Sequence, residues 1–101
     1  MDPVHVTKKE MSGAEAVWEF VVAVGREDTD LIGFLVYLEK AYWQELTNGL
    51  RSPEELVKSS FEFLLKKESK YLILREFDLR DIQGFFPEYE EEMKKMLHVP
   101  S

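Results

Sequence analysis

Two histidines, a run of three glutamates, two aspartates in one short loop and a few serines are the side chains with which this chain could do chemistry. His5 and His98 lie near opposite ends, and there is no cysteine. Zinc takes several His, Cys or carboxylate ligands at close or recurring spacing, so two isolated histidines read as incidental surface residues. A Ser-His-acid arrangement would need Ser12, Ser59, Ser60 or Ser69 brought to a histidine by the fold alone, and no spacing recommends it. Glu90, Glu91 and Glu92 fall in the first turn of an expected helix, where the dipole favours carboxylates. Consecutive helical residues point about 100° apart, so the three cannot converge on one ion. Asp28 and Asp30 sit in GREDTD; a calcium loop needs a longer ligand array, and turn chemistry accounts for them. The five glycines (13, 25, 33, 49 and 84) are scattered, so there is no phosphate-cradling loop. The sequence therefore reads as non-enzymatic, with no catalytic residue, cofactor or metal ligand expected.

Aromatic side chains are the stronger signal. Tyr37, Tyr42, Trp43, Tyr71, Phe85, Phe86 and Tyr89 crowd a short segment. Most belong in a core, but any left outside makes a good protein-contact anchor. Tyr42, Trp43 and Tyr37 are the interface candidates. Charge narrows the partner classes. There are 20 acidic against 13 basic residues, a formal charge of −7. Residues 1–50 carry −5 of it, from nine acidic and four basic residues. Such a field repels phosphate backbones, so direct nucleic-acid binding is not expected. The doublets Lys8-Lys9, Lys66-Lys67 and Lys94-Lys95 all have acidic neighbours. The apolar runs are far short of a membrane span, and Met1 to Glu10 has no signal-peptide core. With no cysteine, a reducing, cytoplasmic setting is the expectation.

These residues must be positioned by one domain, since the chain has 101 residues. The segment AVWEFVVAVGREDTDLIGFLVYL (residues 16–38) decides the fold class. Read as helix, it has a capping box in Ser12 and Glu15 and a stop at Gly25. Yet Glu19 is its only polar residue before Gly25, so the helix would need burial all round. Read as strands, Trp18, Phe20, Val22 and Val24 share one face, and Ile32, Phe34, Val36 and Leu38 share another, joined by GREDTD. The hairpin satisfies more of the pattern. VHVTKK (residues 4–9) can add a third strand after a turn in EMSGAE (residues 10–15), which matters because a lone hairpin is marginal in water.

Beyond Leu38 the period becomes helical. Residues 39–48 place Tyr42, Trp43 and Leu46 on one side and stop at Asn48-Gly49. Ser52, Pro53 and Glu55 open the next helix as N-cap, first residue and capping box. Its apolar face holds Leu56, Val57, Phe61, Leu64 and Leu65, with Lys66 and Lys67 at its end. KYLILREF (residues 70–77) fits helix or strand. Asp78 looks like the cap of a short helix holding Leu79 and Ile82. Pro87 starts a last helix with Tyr89, Met93, Met96 and Leu97 as its stripe, and Glu90–Lys94 and Glu91–Lys95 as i,i+4 pairs.

Ser52–Leu56 (SPEEL), Ser60–Leu65 (SFEFLL), Ile73–Leu79 (ILREFDL) and Phe86–Glu90 (FPEYE) together resemble the carboxyl half of a family of small uncharacterised prokaryotic proteins. The resemblance covers roughly the last 40% of the chain, implies strands followed by helices, and makes residues 70–77 helical. It carries no activity and no functional residue. The expected fold is α+β: a small antiparallel sheet of two or three strands within residues 3–38, packed against three or four helices from residues 39–97. An all-α bundle is the alternative. The expected function is a protein-interaction or scaffold module that self-associates as a homo-oligomer, since sheet edges are ready pairing templates. The alternative is an acidic regulatory protein, antitoxin-like or a nucleic-acid mimic, that masks a basic partner surface.

Overall fold

The computed structural model describes residues 2–9 and 16–100. The expected capping box at Ser12 and Glu15, and the expected turn in EMSGAE, lie outside the described residues. The first three strands are β1 (Val4–Lys8), β2 (Val17–Val24) and β3 (Ile32–Glu39). They are antiparallel neighbours, with Val24 opposite Ile32 and Val4 opposite Val24. Period-two alternation decides which side chains go in. Phe20, Val22, Val24, Ile32, Phe34, Val36 and Leu38 are all buried on one face. Their neighbours Val21, Gly33, Leu35 and Tyr37 lie on the other, exposed or half-buried. The hairpin reading holds, and the all-α alternative fails.

Gly25 ends β2 with φ 116°, a conformation L side chains rarely adopt. A Cβ there would meet the Asp30 carbonyl oxygen at 2.6 Å and Lys70 Nζ at 2.8 Å. Glycine is therefore required where the loop folds back and Lys70 crosses over it.

Four helices cover the inner face: α1 (Lys40–Thr47), α2 (Pro53–Lys67), α3 (Asp81–Phe85) and α4 (Tyr89–Met96). α1 ends where Asn48 turns left-handed, its N–H bonded to the Gln44 carbonyl. α2 starts with the expected reciprocal cap. Glu55 N donates to Ser52 Oγ at 3.1 Å, and Ser52 N donates to Glu55 Oε1 at 2.9 Å. Such a cap contributes about 1 kcal/mol. Phe61, from the middle of α2, lies between Phe34 of β3 and Phe77, with ring centroids 5.2 and 5.8 Å away. The result is two layers, helices on sheet, with one core between them.

Two expectations for residues 70–79 are corrected. The KYLILREF segment is not a helix. A single 3-10 turn at Lys70–Leu72 gives way to β4 (Glu76–Asp78), which runs parallel to β3. The sheet is thus four-stranded and mixed, in the order β1-β2-β3-β4, and not confined to residues 3–38. The physical reason is the edge of β3. Leu35 N donates to the Arg75 carbonyl at 2.8 Å and Leu79 N to the Tyr37 carbonyl at 2.9 Å, so β4 satisfies backbone groups that a helix would leave orphaned. Nor does Asp78 cap a helix. It ends β4, its Oδ1 accepts from Arg80 N at 2.9 Å, and α3 begins at Asp81.

Candidate interaction surface

The three sequence-derived interface residues meet different fates. Tyr42 does not stand outside. It is 2% exposed, facing the core from α1, and its hydroxyl donates to Glu90 Oε2 at 2.8 Å. Burial, with Tyr89 and Glu90 nearby, pushes its phenol well above the ordinary range. That bond also explains why the expected Glu90–Lys94 pair is replaced: Glu90 turns inward, while Glu91 keeps Lys95 at 3.7 Å. Trp43 is half-buried, edge-on to Trp18 with centroids 5.5 Å apart, and its Nε1 donates to the Arg51 carbonyl at 2.8 Å. Both its ring and its N–H are therefore already used. Tyr37 alone stands on the helix-free face of the sheet. Its hydroxyl donates to Glu76 Oε2 at 2.6 Å, and this bond to a carboxylate pushes its phenol up to about 12.

Buried polar groups elsewhere are structural. Ser60 Oγ donates to the Leu56 carbonyl at 2.7 Å and lies 2.6 Å from the Tyr89 hydroxyl, sealed between α2 and α4. Among the described residues no histidine or acid hydrogen-bonds to it, the kind of partner that activates a serine nucleophile. Lys70 is the most unusual group. It is 4% exposed, with Nζ 2.9 Å from Asp30 Oδ2 and 3.4 Å from Asp2 Oδ2, neither contact being a well-directed hydrogen bond. The Asp30 contact raises the Lys70 pKa in spite of desolvation, and holds the Asp30 carboxyl below the usual carboxylate range. A lysine activated for covalent chemistry needs the opposite shift, towards neutrality. Lys70 is a clamp joining the start of β1, the β2–β3 loop and the 3-10 turn. Among the described residues no group of three or more His, Cys, Asp or Glu could hold a metal ion.

What remains is apolar. Between the end of α2, β4 and α3 runs a groove of about 200 Å³. Its base is formed by Leu64, Ile73, Phe77 and Ile82, all buried. Its rim is not: Leu72 is 71%, Phe85 69% and Leu74 58% exposed, and Tyr71, also exposed, stands next to them in the chain. The charged side chains lining it, Glu68 and Asp81, are both acidic. Single exposed apolar residues need no explanation, but a cluster around a concave apolar floor marks a contact site. Sequence reasoning had Tyr71 and Phe85 among its aromatics and missed Leu72 and Leu74. The available signal was the run Leu72-Ile73-Leu74, three consecutive apolar residues that no single helix or strand face absorbs together.

Comparison with known proteins finds no matching family model, no matching curated protein and no matching solved structure. No helix among the described residues is long and apolar enough to cross a membrane.

Proposed function

We propose that this chain is a non-enzymatic protein-interaction module whose docking site is the groove rimmed by Leu72, Leu74 and Phe85. The observation that carries the reading is the clustering of these exposed side chains around a buried apolar floor. Aromatic and aliphatic anchors in a desolvated pocket supply most of the energy of protein contacts, and a groove of this kind accepts the apolar face of a helix. Charge selects the occupant. Glu68 and Asp81 line the groove of a chain carrying −7, so the partner presents apolar anchors flanked by Lys or Arg. This is how an acidic regulatory protein would mask a basic partner surface. The lack of cysteine fits a reducing, cytoplasmic setting.

The probe is a labelled amphipathic peptide with leucines at i, i+3, i+4 and i+7 and lysines elsewhere, read by fluorescence anisotropy. It binds the wild type, and Phe85→Asp weakens binding at least roughly tenfold, about 1.4 kcal/mol. Raising salt weakens it further through the rim charges. Equal binding by a glutamate-for-lysine peptide, or by Phe85→Asp, would sink the reading. A second reading, self-association, is favoured by a different feature, the open edge of β1.

A further inference from the structure

We infer that a second copy of this chain pairs antiparallel with the outer edge of β1, two-fold about Val6, to give one continuous sheet through both copies. The inference is independent of the apolar groove, which lies at the other side of the molecule's sheet, beside β4.

The parity of the β1–β2 ladder fixes what the edge offers. Lys9 N donates to the Glu19 carbonyl at 2.9 Å, and Gly25 N donates to the Pro3 carbonyl at 3.0 Å. In an antiparallel pair the bonded positions alternate, so residues 3, 5, 7 and 9 point their backbone groups at β2. Val4, Val6 and Lys8 therefore point theirs outwards, where no other strand pairs with β1 among the described residues. These three are symmetric about Val6. A two-fold axis there sets Val4 opposite Lys8 of the second copy and Val6 opposite Val6, so every outward N–H and C=O in the strand finds a partner. The opposite edge offers less, since β4 has only three residues.

Side chains agree with this register. Val4 and Val6 are half-buried on the helix side and gain cover from the second copy. Within Val4–Lys8 no like charges meet, since Lys8 faces Val4 and Val6 faces Val6. Lys8 has Asp2 of the second copy as its diagonal neighbour on the same face, within reach of a long side chain, and the Asp2 carboxylate is 39% exposed. Val4–Lys8 contains no acidic residue, so this edge is the segment of an acidic chain that a second acidic copy can approach. On the outer face His5 lies opposite Thr7, at a closely spaced, non-hydrogen-bonded pair.

Sedimentation velocity of the wild type should show a dimer. Val6→Pro removes an N–H that points outwards and leaves the β1–β2 ladder intact, an arrangement in which an edge strand tolerates proline. It stays folded by circular dichroism, and its dimer dissociates at least roughly tenfold more readily. The chain has no cysteine, so register is read by crosslinking. An oxidised mixture of His5→Cys and Thr7→Cys forms mainly the mixed disulfide, and neither variant alone crosslinks well. A wild type that stays monomeric at high concentration overturns the inference. So does a dimer that survives Val6→Pro, or that is lost in Phe85→Asp instead. A predominant His5→Cys homodimer overturns the Val6-centred register. Val6→Pro should still bind the lysine–leucine peptide, so failure here and failure of the groove are told apart.

Discussion

Where α1, α4 and the first turns of α2 meet, each large side chain that brings a polar atom inwards finds a partner for it. Tyr42 has Glu90, Tyr89 has Ser60, and Trp43 has the Arg51 carbonyl. Arg51 in turn donates from Nε to the Leu97 carbonyl at 2.7 Å, tying the loop before α2 to the end of α4. At the other end of the helical layer, around α3 and β4, Leu72, Leu74 and Phe85 are as large and apolar but are turned into solvent. The two ends differ in closure, not in their supply of apolar residues. A core seals when polar tips are satisfied inside it, because each unpaired buried group costs about 1–3 kcal/mol. At the open end Leu72, Leu74 and Phe85 carry no polar tip to anchor, and no described residue covers them.

The contrast is testable by substitution, beginning at the sealed end. Leu56 is fully buried beside Ser60, and Leu56→Ala should destabilise by about 2–5 kcal/mol in denaturant unfolding. A loss below about 1 kcal/mol would mean that the region is less tightly packed than its burial indicates. Tyr89→Phe removes one hydroxyl while Ser60 keeps the Leu56 carbonyl, so the loss should be about 1 kcal/mol. At the open end, Leu72→Ser should change stability by no more than about 0.5 kcal/mol. A large loss there would show that the rim holds the fold together rather than waiting for a partner.

The legible parts of the molecule were those whose pattern is local. Alternation in residues 17–24 and 32–38 marked the buried face of the hairpin because both strands carry their bulk on one side. Ser52, Pro53 and Glu55 marked the start of α2 because a capping box is complete within four residues. β4 was not legible, since Glu76–Asp78 becomes a strand only in the presence of a free edge on β3. The depth of Tyr42 depends on Glu90, a residue of another helix that turns inward to meet it. The groove was hidden for the same reason: Leu72 and Ile73 are adjacent, yet one is out and the other in, and only the packing of α3 against β4 separates them.

β4 also sets an order of events. β2 and β3 are joined by a short loop and can zip together early, whereas Leu35 meets Glu76 only after the chain has travelled through α1 and α2. Closing that long loop is entropically slow to be rewarded, so the three-residue ladder locks after the hairpin has formed. The surface on which a partner is to land should therefore form after the β2–β3 hairpin and, resting on so short a ladder, open before it does.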